Sequence, residues 1–294
     1  MTSIRERPVE TRGVRFALLE AGEEDAPLAL CLHGFPDSAW SWRHVLPALA
    51  EGGLRAVAPF MRGYAPTGPA PDGRYGVSDL AADVVALDEA LGGSGKTILV
   101  GHDWGAAAVF GALDLNPGRW GSAVAISVPP AGGYSIDAVS LGQMRRSWYS
   151  YLFQLPDFDV AEALVAADDL AFVDSLWADW SPGYDGAEDA ERAKAALRPP
   201  GCLRAALAYY REAPTVVRTP EERAASQAWW QALAVPFLYV HGARDGCIGL
   251  DAVEQVREHF PPKADVAILE EAGHFVQLEQ PEELSRLVMD FAAR

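Results

Sequence analysis

The chain has 294 residues, half of them hydrophobic and 22% charged, the profile of a globular protein with a large core and not of a disordered, collagen-like or coiled-coil chain. Its 24 basic and 41 acidic residues leave a formal net charge of −17, a field that disfavours nucleic acid and anionic membrane partners. Cys31, Cys202 and Cys247 are too far apart for a disulfide framework or zinc cluster; with a charged Met1–Arg12 and no apolar run of roughly 18 to 20 residues, they fit a cytoplasmic protein.

Short apolar runs alternate with longer amphipathic ones. Strands are expected at Val14–Leu19, Leu28–Leu32, Leu54–Pro59, Thr97–Val100, Ser122–Ile126, Phe237–Val240 and Asp265–Leu269. Helices are expected at Trp40–Glu51, Val77–Leu91, Ala106–Leu115, Leu250–His259 and Pro281–Ala293, the last opening with Pro281, Glu282 and Glu283 as a helix N-terminus favours. This is the signature of a mostly parallel sheet with helices on both faces. The alternation breaks between Pro129 and Trp229, where patterns such as Leu141–Phe153 and Leu203–Glu212 are helical and Pro-Gly clusters punctuate them. We read residues 1–128 and 230–294 as one α/β core and 129–229 as a helical cap inserted between two neighbouring strands, a lid over the strand ends.

The strand ending at Val100 runs into Gly101-His102-Asp103-Trp104-Gly105-Ala106 and then a helix. Such a turn presents its central side chain, Asp103, at the top of the sheet, and needs small neighbours. Asp is also a favoured N-cap, so Asp103 could instead merely cap the helix.

The elbow resembles that of the α/β-hydrolase fold in its epoxide hydrolase and haloalkane dehalogenase branch, where aspartate replaces serine as nucleophile. The resemblance spans nearly the whole chain. His33-Gly34-Phe35-Pro36 matches the family's His-Gly-x-Pro loop, and Gly63-Tyr64-Ala65-Pro66-Thr67 its Gly-x-small-x-Ser/Thr turn. It implies an oxyanion hole from the backbone N–H groups of Phe35 and Trp104, donors worth about 3 to 4 kcal/mol each. Chain order in the fold is nucleophile, acid, histidine. His274, in the loop before the last helix, is the expected base, and Asp245, just past the Phe237–Val240 strand, the expected acid; His33 and His102 are expected to be structural.

A carboxylate is already anionic and can displace a leaving group from an sp³ carbon, so the substrate should be an alkylating electrophile. Ser147-Trp148-Tyr149 with the following Phe153-Gln154 resembles the lid helix of epoxide hydrolases, and Ala208-Tyr209-Tyr210-Arg211 their second lid-tyrosine segment. The resemblance assigns Tyr149 and Tyr210 as proton donors to the epoxide oxygen; periodicity does not separate Tyr209 from Tyr210. Phe35, Trp104, Trp148 and Phe153 are expected to line an apolar pocket. Trp40, Trp42, Trp120, Trp229 and Trp230 are expected in packing, and Cys31 and Cys247 as inert hydrophobes.

The expected activity is conversion of an epoxide and water to a vicinal diol through an Asp103 ester. A haloalkane dehalogenase using Trp104 with Trp148, Trp177 or Trp180 is an alternative, as is a catalytically silent binding protein. The expected partners are a small lipophilic epoxide and water, with a homodimer compatible and no metal or cofactor required.

Overall fold

The computed structural model describes residues 2–130, 140–213, 221, 230, 233–257 and 260–293. Eight strands form one sheet: β1 (Arg5–Thr11), β2 (Val14–Ala21), β3 (Leu28–Leu32), β4 (Arg55–Pro59), β5 (Ile98–His102), β6 (Ser122–Ile126), β7 (Phe237–Gly242) and β8 (Asp265–Leu269). Their order is β1-β2-β4-β3-β5-β6-β7-β8, antiparallel at β1/β2 and β2/β4 and parallel from β4 to β8. Every residue of β3, β4, β5 and β6 is buried, as parallel strands covered on both faces require.

Successive residues on a strand point to opposite faces, so β3 and β5 divide the core in two. Leu30 and Leu99 pack with Val84, Leu87, Val109 and Leu113 of α2 (Val77–Ala90) and α3 (Trp104–Leu115). Cys31 and Val100 face the other way, onto Leu46 and Leu49 of α1 (Val45–Glu51) and Val288 and Phe291 of the C-terminal helix Pro281–Ala292. The expected Trp40–Glu51 helix divides into a 3-10 turn at Ala39–Trp42 and α1.

One strand escapes the pattern reading. β1 carries the charged sequence RERPVET and is largely exposed; as an edge strand it buries no continuous apolar face, and charges there discourage edge pairing. Its hairpin to β2 turns on Arg12 and Gly13, both at positive φ, the geometry of a two-residue hairpin.

Between β6 and β7 the described residues form helices and loops only: α4 (Leu141–Arg146), α5 (Trp148–Phe153), α6 (Phe158–Trp180), α7 (Ala187–Leu197) and α8 (Cys202–Glu212). The single expected helix Leu141–Phe153 divides at Ser147. α6 is interrupted at Ala167–Leu170, where Asp168, Asp169 and Leu170 take positive φ. After β7 come α9 (Leu250–Val256), α10 (Val276–Glu279) and α11 (Pro281–Ala292); His259, the expected end of α9, lies outside the described residues, as does Trp229. Trp42, Trp120 and Trp230 are buried. The strand order reverses between β3 and β5, and the C-terminal ends of the strands at such a reversal are the usual ligand position in these sheets.

Candidate active site

Two of the predicted residues, Phe35 and Asp103, meet at that reversal point. β3 and β5 pair with Leu32 opposite Gly101, which brings the loop after β3 beside Asp103. Asp103 has φ 54° and ψ −119°, a sparsely populated conformation costing about 1–3 kcal/mol that the surrounding structure must hold. The turn closes tightly: a Cβ at Gly105 would run into the Leu32 carbonyl. Asp103 occupies the N-cap position of α3, yet its side chain makes no capping bond. Its Oδ1 instead accepts from the Phe35 N–H at 2.7 Å. Gly34 is required by the same approach, since a Cβ there would collide with the Asp103 carboxylate.

The opposite carboxylate oxygen, Oδ2, lies 3.9 Å from His274 Nε2. That nitrogen is buried and has no hydrogen-bond partner among the described residues. Its ring mate Nδ1 is 2.9 Å from Asp245 Oδ2, and Asp245 Oδ1 accepts from the backbone N–H groups of Cys247 (2.7 Å) and Ile248 (2.8 Å). An Nδ1 that donates to Asp245 leaves the Nε2 lone pair facing Asp103.

Burial pushes the Asp103 carboxyl up from the ordinary range, while the His274 and His102 charges and the Phe35 and Trp104 N–H groups pull against it. Burial also works against a charged Asp245, but His274 and the Ile248 N–H hold its carboxyl below the usual range. For His274 burial acts to lower the value, and the charge and hydrogen bond of Asp245, then the charge of Asp103, more than offset it and leave the imidazole above its ordinary value.

Helices α5 and α8, which lie between β6 and β7 in the chain, contribute aromatic rings near this pair. Tyr210 lies edge-on to Phe35 (5.5 Å between ring centroids), Trp104 (5.0 Å), Phe153 (4.9 Å) and Tyr149 (5.8 Å). Burial, with the Asp103 charge among the further causes, pushes both the Tyr149 and Tyr210 hydroxyls well above the ordinary phenol range, so both stay protonated. Tyr210 Oη is buried near the Trp104 and Tyr149 side chains and closes no well-formed hydrogen bond among the described residues, whereas Tyr209 Oη donates to the Arg62 carbonyl at 2.6 Å. Of the two adjacent tyrosines, Tyr210 is the one with its hydroxyl beside the site.

Trp148 does not join this cluster. It is 46% exposed and its ring lies against Phe172, correcting its expected place in the pocket lining. Adjacent helical positions diverge by about 100°, so turning Tyr149 inward on the short α5 turns Trp148 out.

His33 and His102 are buried and hydrogen-bonded to backbone groups. His33 Nε2 accepts from the Met61 N–H at 3.0 Å. His102 Nε2 donates to the His274 carbonyl at 2.9 Å, and Ser127 Oγ donates to the same oxygen at 2.7 Å.

Several residues that position the histidine carry no signal in the sequence pattern. The His274 N–H donates to the Trp180 carbonyl (3.1 Å) and Ser181 Oγ (3.0 Å), at the C-terminal end of α6. Glu279 accepts from the Gly273 (2.7 Å) and Phe275 (3.1 Å) N–H groups and from Ser181 Oγ (2.6 Å). Trp180 packs its ring on both His274 and Tyr149, each at 4.9 Å. Cys247, expected to be inert, has its Sγ 3.3 Å from Tyr149 Oη. Asp245, Cys247 and His274 also bring three metal-capable donor atoms within 4.8 Å of one another; two of the three residues are already joined by the Asp245–His274 hydrogen bond.

Comparison with known proteins identifies the family. A family model described as alpha/beta hydrolase fold matches residues 27–281. The chain is 29% identical to epoxide hydrolase A of Mycobacterium tuberculosis, covering 97% of this chain and 96% of that protein. It is 32% identical to mouse epoxide hydrolase 3, covering 97% and 75%. The crystal structure of epoxide hydrolase VrEH1 from Vigna radiata superposes with a TM-score of 0.77 at 29% identity, covering 99% of this chain and 98% of that one. On this match and these relatives, the chain belongs to the α/β-hydrolase fold family, in its epoxide hydrolase branch.

Proposed function

We propose that this protein hydrolyses small lipophilic epoxides to vicinal diols through a covalent ester on Asp103. The observation that carries the reading is Asp103 Oδ2 lying 3.9 Å from a His274 Nε2 that has no hydrogen-bond partner among the described residues, with the protonated Tyr149 and Tyr210 phenols near enough to feel the Asp103 charge. An Asp103 oxygen attacks an epoxide carbon, the ring C–O bond breaks, and the departing oxygen takes a phenolic proton; such proton transfer typically contributes about 10²- to 10⁴-fold. Water lodged beside His274 then attacks the ester carbonyl carbon as Nε2 takes its proton, and Asp245 steadies the imidazolium. The Phe35 and Trp104 N–H groups hold the resulting oxyanion, and His274 returns the proton to the leaving alkoxide.

In this reading residues 1–128 and 230–294 form the core and 129–229 the cap, and Phe35, Trp104 and Phe153 face the substrate. Three free, buried cysteines support a reducing, cytoplasmic setting, and no helix among the described residues is long and apolar enough to cross a membrane. Halide displacement is less well served: of the expected extra donors, the Trp177 indole N–H is spent on the Pro36 carbonyl at 2.9 Å and Trp148 is exposed, which leaves Trp180, packed on His274 and Tyr149, to serve with Trp104.

The test is a His274→Gln variant given a styrene-type epoxide. The ester should form and persist, raising the intact protein mass by the mass of the substrate, with the adduct on Asp103. Absence of an adduct, or halide release from haloalkanes without diol formation from epoxides in the wild type, overturns the reading.

A further inference from the structure

The two lid phenols are not equivalent, and the difference is a thiol. Cys247 lies two residues past Asp245 and is 1% exposed. Its backbone is clamped from both sides: its N–H donates to Asp245 Oδ1, and its carbonyl accepts from Gln143 Nε2 of α4 at 2.8 Å. Gln143 Oε1 in turn accepts from the Gly249 N–H at 2.9 Å. The clamp aims Sγ at Tyr149 Oη, 3.3 Å away, its one hydrogen-bond partner among the described residues. Tyr210, edge-on to Tyr149 and near the Trp104 side chain, closes no well-formed hydrogen bond through its Oη among the described residues.

We propose that Cys247 is a positioning residue for epoxide ring opening: its S–H donates to Tyr149 Oη, turns the phenol's own proton toward the epoxide oxygen and steadies the phenolate left behind. Tyr149 is then the proton donor, and Tyr210 contributes a hydrogen bond without giving up its proton. The inference rests on the Asp103-ester reading above.

The chemistry favours this polarity. A phenol has one proton, and sulfur is a weak acceptor, so an epoxide oxygen entering the site takes that proton from Sγ. The vacated oxygen lone pair then faces a thiol with its proton to offer. Burial keeps the Cys247 thiol protonated, pushing it well above its ordinary value. Burial raises the Tyr149 hydroxyl most, and Cys247, Tyr210 and Asp103 each raise it further; the opposition from Cys247 falls away when its thiol keeps its proton and donates it, and that from the Asp103 anion when its charge is consumed in the ester. The protons balance over the cycle. The epoxide oxygen gains the Tyr149 proton; one proton of the hydrolytic water passes through His274 to the second product hydroxyl. The other, released as Asp103 returns to a carboxylate, restores the phenol.

The experiment compares Cys247→Val, which fills the space without a donor, with Cys247→Ser, which keeps one. Single-turnover rates of ester formation and of ester hydrolysis are read separately by quenched intact-protein mass. Cys247→Val should slow ester formation about tenfold, the kinetic equivalent of one hydrogen bond, with hydrolysis unchanged. Cys247→Ser should restore it, and Cys247→Val should add nothing in a Tyr149→Phe background. Equal slowing of both steps, no slowing, or full additivity with Tyr149→Phe overturns the proposal. Should Cys247→Val fail to fold, the infrared S–H band isolated by difference against Cys247→Ser decides: it should move to higher frequency in Tyr149→Phe, and an unmoved band overturns the inference. If the His274→Gln variant traps no ester, the underlying reading fails instead.

Discussion

His274 is pulled between a buried environment that disfavours its charge and two carboxylates that favour it, with Asp245 at 2.9 Å the stronger. The balance leaves its pKa above the ordinary value of 6.5, and the sign has a kinetic consequence. Ester hydrolysis needs the neutral ring, so its rate should climb with pH to a plateau, through a midpoint that Asp245 holds up against burial once the Asp103 charge is consumed in the ester. Ester formation needs no lone pair on Nε2, so at lower pH the wild-type enzyme should accumulate the ester. Replacing Asp245 with Asn removes the largest raising influence; the midpoint should fall, and the plateau should drop by about 10²- to 10⁴-fold because the imidazolium loses its partner. Rapid-quench mass spectrometry across pH reads both, and an unmoved midpoint in Asp245→Asn shows that another group sets the histidine.

Helix α8 carries two adjacent tyrosines to opposite tasks, and its tethers show why. Tyr209 Oη bonds the Arg62 carbonyl and Glu212 accepts from the Tyr75 N–H at 2.8 Å, both on the core side. Arg211 donates to the Phe153 (3.0 Å) and Leu155 (2.6 Å) carbonyls, tying α8 to α5 and the turn after it. Tyr209→Phe should therefore cost about 1 kcal/mol of stability, the value of one buried hydrogen bond, with ester formation within about threefold of wild type. Tyr210→Phe should leave stability unchanged or raise it, since it removes a buried hydroxyl that closes no well-formed hydrogen bond, while slowing ester formation about tenfold or more. Denaturant titration beside single-turnover kinetics separates the two, and a reversed pattern would exchange their roles. Periodicity alone left this pair undivided because both positions of an amphipathic helix between two layers are buried. The same limit explains what else the sequence withheld. Strands β3 to β8 are legible as apolar runs closed by turn residues, and Asp103, Asp245 and His274 each sit just past such a run. β1 is charged and solvent-facing, so nothing in its composition announces pairing. Ser181 and Glu279 hold the histidine loop through contacts across about 100 residues of chain or from the following helix, which no local pattern encodes. Trp148 was misplaced because a motif fixes residue identity, whereas the helix turn fixes which of two neighbours faces in.

For the molecule as a whole, the charge of −17 and the nearly inaccessible site act together on substrate choice. Asp103 is 6% exposed and His274 fully buried, so a substrate must be stripped of water, a cost small for a neutral epoxide and large for an ion. Long-range repulsion adds to it: the averaged field opposes approach of an anion, and salt screens that field over about 8 Å at physiological ionic strength. A neutral aromatic or aliphatic epoxide should show kcat/KM nearly independent of salt. An epoxide of the same size bearing a carboxylate should react more slowly at low salt and gain as salt is added, because screening removes the repulsion but not the desolvation cost. The two series, measured side by side by diol release, separate the field from the site. A carboxylated epoxide that reacts faster at low salt than at high salt would mean that cations near the entrance outweigh the net charge, and the preference for uncharged substrates would have to be abandoned.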